Sequence, residues 1–245
     1  GQAAAPNTMD EFLIGSWISF YDPAIEGYEN QLKDMAESGV NWHPNPLSLA
    51  GHTAGGASLT YSMTELNAMY KKYNVYFSAV SQTTASITMS ESNKLVEEVT
   101  GNNLTNCNSY HVKDEPSAAV MEDVGNIFHN CLEKDPTRFP YVNLFPNYAG
   151  AANLGGTYED YIYNWIDTIG ADNLEYLAYD HYPFTQFETV RSSYFSDLET
   201  VRAAAYDNGK LKTLACTQLG SWNGMVRPNA DMARWNCNTF IAYGM

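Results

Sequence analysis

Short apolar runs alternate along this sequence with amphipathic stretches of roughly 10–20 residues, and that alternation restricts the fold more than any other feature. Residues 12–20, 40–44, 75–80, 110–116, 139–144, 174–180 and 211–217 read as strands. Between and after them, residues 28–38, 62–73, 90–100, 118–133, 158–169, 187–208 and 230–243 carry helical spacing. Gly39 and Gly209 stand where two of these helices should stop. Strand–helix alternation of this kind builds a parallel sheet with helical crossovers, an α/β architecture. The 245 residues suit one domain, 1–245, without an internal boundary or repeat. Seven strand–helix units are visible, and an eighth strand, which a closed barrel would need, is missing. Two open parallel edges recruit other chains, so self-association that closes the gap is expected.

Composition narrows the partners. No apolar run approaches the ~18 residues of a membrane span, so no membrane partner is expected. The formal charge of −15 would repel a polyanion, which argues against nucleic acid. No GxGxxG or GxxxxGK[ST] follows any strand, and no CxxC, His-x-His or HExxH occurs, so neither a cofactor nor a metal is expected. Cys107, Cys131, Cys216 and Cys237 either pair as Cys107–Cys131 and Cys216–Cys237 or remain thiols. Eighteen tyrosines and five tryptophans supply rings that can stack on sugars, besides filling a core. The start, Gly1-Gln2-Ala3-Ala4-Ala5-Pro6, reads as a processed end.

Two strand ends carry the chemistry. Tyr110-His111-Val112-Lys113-Asp114-Glu115-Pro116 ends in adjacent carboxylates followed by a strand-stopping proline. Leu174-Glu175-Tyr176-Leu177-Ala178-Tyr179-Asp180-His181-Tyr182-Pro183 repeats the design. Both strand ends are expected to face one pocket. Strand alternation would send Asp114 and Glu115 to opposite sides.

These motifs resemble a bacterial glycoside-hydrolase-type (β/α)8, or TIM, barrel, together with Tyr141-Val142-Asn143-Leu144-Phe145-Pro146-Asn147-Tyr148 and the stretch from Arg234 to Gly244. The resemblance spans most of the chain and implies a TIM-barrel-like α/β fold, here truncated. It also implies cleavage of O-glycosidic bonds in a poly- or oligosaccharide, and a secreted or periplasmic location. In the large retaining superfamily of such barrels the acid/base glutamate ends strand four, which maps onto Glu115. The nucleophile of that superfamily ends strand seven, where this chain reads Thr217-Gln218-Leu219-Gly220 with no acid. An amide cannot act as a carboxylate nucleophile. Asp180 is then the leading partner carboxylate, placed across one cleft from Glu115.

Glycoside cleavage needs one carboxyl to give a proton and another to act as nucleophile or base. Glu115, Asp180 and Asp114 are the catalytic candidates. Trp17, Asp22, Trp42, His43, Asn143, Tyr148, His181, Tyr182, Gln218 and Trp222 are candidates for binding substrate, being near strand C-termini where such barrels hold ligands. The competing readings are a non-catalytic carbohydrate-binding barrel and an inert fragment.

Overall fold

Parallel strands separated by helices account for most of the chain in the computed structural model. It describes residues 12–17, 28–44, 53–54, 57–58, 63–80, 87–187, 189–221 and 224–245. In order these are α1 (Tyr28–Glu37), β1 (Trp42–His43), β2 (Thr53–Ala54), β3 (Ala57–Ser58), α2 (Met63–Lys72), β4 (Tyr76–Val80) and α3 (Met89–Gly101). Then follow β5 (Cys107–Asp114), α4 (Met121–Lys134), β6 (Phe139–Leu144), α5 (Ala151–Leu154), α6 (Tyr158–Ile169), β7 (Tyr176–Asp180), α7 (Tyr194–Asp207), β8 (Lys212–Cys216) and α8 (Ala230–Ala242). Six strands form one sheet in the order β1-β4-β5-β6-β7-β8, and β2–β3 is a separate antiparallel pair. Among the described residues the fold is therefore of the α/β, TIM-barrel-like class, with six strands in its parallel sheet.

Local chemistry fixes the helix ends. Thr88 and Glu91 form a capping box on α3, and Thr157 with Asp160 does the same on α6. The Asn229 side chain accepts from two backbone amides at the start of α8. Gly39 and Gly209 take φ of +86° and +87° just past α1 and α7, a conformation that a side chain would strain.

Three elements differ from the sequence reading. Residues 12–17 form no buried strand: Gly15 makes one parallel bridge to Trp42, while Phe12 and Ile14 are 65% and 48% exposed. The Asn41 carboxamide holds this stretch, accepting from Ile14 N and donating to Phe12 O. α7 begins at Tyr194, not at 187, because Phe184 and Val190 pair as an antiparallel bridge and keep the intervening chain out of a helix. The single turn α5, bounded by Gly150 and Gly155, has no hydrophobic period to reveal it. All four cysteines are free thiols.

The chain divides into two compact units, one of residues 1–113 and 126–140, the other of 114–125 and 141–245. The first has an apolar core that includes Leu32, Tyr70, Phe77, Val99, Leu104, Phe128 and Phe139. One charged knot sits inside it. Arg138 binds Asp135 at 2.6 Å and donates to the carbonyls of Cys107 and Leu104, while Tyr110 donates to the same Asp135. Burial would raise the Asp135 pKa, but bonds from Thr137, Tyr110 and Arg138 outweigh it and hold the carboxyl below its ordinary value. The second unit buries Tyr161, Ile162, Trp165, Ile166, Leu177, Tyr179, Tyr194, Leu198 and Val201. In it β7 is buried along its whole length, whereas β8 is half-exposed.

Arg138→Met should destabilise the protein by about 3–5 kcal/mol in urea unfolding, because it strands a buried carboxylate. The double variant with Asp135→Asn should recover part of that loss. A single-variant cost below about 1 kcal/mol would show that the knot is not a buried ion pair of this kind.

Candidate active site

Six of the sequence-selected residues, Asp114, Glu115, Asn143, Tyr148, Asp180 and Tyr182, converge in the second unit. Asp114 is the last residue of β5 and Asp180 the last of β7, while Asn143 lies one residue before the end of β6. The Asn143 carboxamide sits between the acids. Its Nδ2 donates to Asp114 Oδ1 at 3.0 Å and to Asp180 Oδ2 at 3.2 Å, and its Oδ1 accepts from the Cys216 thiol at 3.8 Å.

Glu115 leaves the strand. Its φ is +45°, the left-handed region that a non-glycine residue rarely adopts. Two bonds hold it there. The Glu115 amide donates to Asn143 O at 2.7 Å, and the buried Tyr161 hydroxyl donates to the next carbonyl, Pro116 O, at 2.7 Å. The same hydroxyl accepts from Phe145 N at 3.2 Å and so ties the loops after β5 and β6 together. The left-handed residue breaks strand alternation. In place of pointing to opposite sides, Asp114 and Glu115 both act on Asp180. Backbone strain of this kind persists only where the surroundings over-determine it, and it gathers at functional sites.

Three carboxyls so close cannot all ionise freely. Burial first, then the charge of Asp114, raises the Glu115 pKa to about 6, and a hydrogen bond with Asp180 acts in the opposite direction. Asp180 is only 3% exposed. Burial, followed by the charges of Glu115 and Asp114, pushes it well above its ordinary value, against opposing bonds from Tyr182 and Asn143. Asp180 is thus disfavoured as an anion, and its titration is linked to that of Glu115. Glu115 and Asp180 act on each other across the ends of β5 and β7. The Cys216 thiol, pushed well up by burial and then by the three acids, stays neutral.

Tyrosines and a histidine frame the acids. Tyr148, 37% exposed, accepts from Tyr182 N at 3.3 Å and lies under the Arg191 guanidinium at 4.2 Å. His181 stands edge-on to Tyr148 with ring centroids 5.0 Å apart. It is fully buried and bonds Asp197 through Nδ1, so it supports Tyr148 and is closed to a ligand.

Other expectations fail for identifiable reasons. Gln218 is fully buried; its amide accepts from Phe184 N and donates to Phe184 O and Val226 O, which leaves it structural and closed to substrate. In the first unit, Trp42 is 4% exposed and donates to Asn108 Oδ1, so its ring is core and not a sugar platform. His43 is likewise buried against the Tyr70 hydroxyl, and burial lowers its pKa to about 3, which keeps it neutral. Trp17 is half-buried, edge-on to His111 at 5.1 Å. Asp22 and Trp222 lie outside the described residues. Among the described residues no group of acids, histidines and cysteines could hold a metal ion, and no helix is long and apolar enough to cross a membrane. Tyr161, Asp197 and Arg191 were not legible as site residues, since each is distant in sequence from the motifs.

No family model matches the chain, and no curated protein matches it. Solved structures do. A family 39 glycoside hydrolase from Bacteroides cellulosilyticus WH2 is 14% identical, with a TM-score of 0.55 over 94% of this chain and 53% of that one. A GH18 chitinase from Pseudoalteromonas aurantia is 12% identical, with a TM-score of 0.52 over 80% of each chain. Plant β-glucan endohydrolases give 10% identity and a TM-score of 0.51, over 94% of this chain and 84% of that one. At such identities the likeness is one of fold alone: this chain has a TIM-barrel-like fold.

The strain at Glu115 makes a measurable claim. Glu115→Gly should be as stable as the parent or more stable by about 1 kcal/mol at pH 7, since glycine adopts positive φ freely. A loss of more than about 1 kcal/mol in urea unfolding would mean that the side chain's contacts outweigh the backbone strain.

Proposed function

We propose that this protein hydrolyses O-glycosidic bonds in a poly- or oligosaccharide, with Glu115 as general acid. The observation that carries the reading is the raised pKa of Glu115, about 6, at the end of a barrel-type strand and within a cluster of carboxyls. A general acid works best when its pKa lies near the operating pH, because it is then both protonated and willing to release the proton. Glu115 would protonate the leaving oxygen. Asp180, disfavoured as an anion by burial, would exchange that proton with Glu115 and stabilise the Glu115 anion as it forms. Asp114, the exposed carboxyl of the three, is held by Asn143 and would act on the attacking side as base or nucleophile. The half-exposed Tyr148 and Tyr182 offer rings to a sugar, and the solved fold-mates are themselves glycoside hydrolases.

A non-catalytic carbohydrate-binding barrel is the second reading, favoured by the structural role of Gln218 at the end of β8, where a retaining nucleophile would stand. Reducing-end release from a polysaccharide panel separates the two. Glu115→Gln should cut turnover by about 10²–10⁴-fold with substrate affinity retained. In the parent, kcat/KM should fall as pH rises through about 6, where Glu115 loses its proton. Asp114→Asn removes a charge that raises the Glu115 pKa, so any activity it keeps should show that limb at lower pH. Undiminished turnover in Glu115→Gln would overturn the assignment; binding without turnover in the parent would favour the second reading.

A further inference from the structure

A cavity of about 390 Å³ opens in the second unit, lined by Thr185, Gln186, Phe187, Thr189, Arg191 and Met225 among others. That volume falls within the roughly 300–1,000 Å³ of small-molecule sites. Its walls are built. Thr185 N donates to Thr189 O at 3.1 Å, their hydroxyls meet at 2.8 Å, and Arg191 N closes the loop onto Pro183 O at 2.8 Å. Buried Gln218 grips both sides of the base, bonding Phe184 on one side and Val226 on the other. The amide at the position of the missing nucleophile is thus a strut for this cavity.

Arg191 is the cationic member. Of the five arginines, Arg138, Arg202 and Arg234 each hold a carboxylate, while Arg191 and the exposed Arg227 hold none among the described residues. Its Nε donates to Tyr182 O at 3.1 Å, and its plane covers the Tyr148 ring at 4.2 Å. Arg191 lines the cavity, and its Nη atoms make no hydrogen bond to the described residues. A guanidinium edge is a planar fork that pairs with two oxygens of a carboxylate or sulfate. Thr189 and Gln186 add neutral polar groups, and Phe187, 74% exposed, adds an aromatic face. Through Tyr148 and Tyr182 the same arginine stands one residue away from the carboxyl cluster.

We infer that this cavity is a subsite for a sugar residue bearing an anionic group, a carboxylate or a sulfate ester, which the Arg191 guanidinium grips. The inference builds on the hydrolase reading and names the substrate class: an acidic glycan. Arg191 reads the charge, the threonines and Gln186 meet hydroxyls, and Phe187 packs on the ring. An acidic protein gains from one such cation, because its general field disfavours polyanions and only a local fork admits the correct group.

Calorimetric titration of the full chain carrying Glu115→Gln, which blocks turnover, tests this with three probes: trigalacturonate, a sulfated carrageenan oligosaccharide and neutral cellotriose. One or both anionic probes should bind at least about tenfold tighter than cellotriose, as a charge-assisted pair implies. Which of them binds identifies the group. The preference should shrink in about 0.5 M salt and vanish in Arg191→Gln. Gln186→Glu, which leaves the bonds of Arg191 intact, should abolish it independently. Equal binding of all three probes, binding of none, or a preference surviving both variants would overturn the inference. Hydrolysis of a neutral polysaccharide by the parent without anion preference would overturn it while the hydrolase reading stands. Anion preference with no hydrolysis of any substrate would support the subsite and remove the hydrolase reading.

Discussion

One carboxamide holds the site together. Asn143 donates to Asp114 and Asp180 at once and receives the Cys216 thiol, while its own carbonyl fixes the amide of Glu115. Without that donor, the charge of Asp114 would bear on buried Asp180 with no bond from Asn143 to offset it. With it, acids from two strands share one neutral hinge on β6, the strand between them in the sheet. A carboxylate in that position would add a fourth charge, and an aliphatic side chain would leave Asp180 without a donor it needs.

The electrostatics follow from that placement. Asp180 is buried at the end of a fully buried strand, so ionising it is costly. Its pKa therefore stands well above the ordinary aspartate value, while that of the half-buried Glu115 rises to about 6. Positive φ turns Glu115 out of the strand. Backbone strain and carboxyl burial thus oppose folding stability at one residue, while helix caps and a buried Arg138–Asp135 knot support it elsewhere.

Much of this was legible beforehand, because strand–helix alternation and acids followed by proline are local signals. β4, β6, β7 and most helices stand within a few residues of where hydrophobic period and end signals put them. What the sequence could not convey depends on contacts between distant residues. Alternation sends Asp114 and Glu115 apart, but a left-handed residue before Pro116 reverses that. Trp42 and His43 lie at a strand end and still turn into the core, toward Asn108 and Tyr70. Gln218 occupies the place of a nucleophile and serves as a strut. Arg191, in a stretch with a helical look, belongs instead to a bridged loop, and only the fold brings it over Tyr148.

The central claim is that burial and mutual charge raise the pKa values of Glu115 and Asp180 together at the ends of two strands. Carbon-13 NMR titration of the side-chain carboxyls, assigned through Asp180→Asn and Glu115→Gln, reads it directly. The account predicts Glu115 titrating near pH 6 and Asp180 above the ordinary aspartate range, with each assignment variant shifting the other's transition. Two independent transitions near pH 4, unaffected by either substitution, would contradict it.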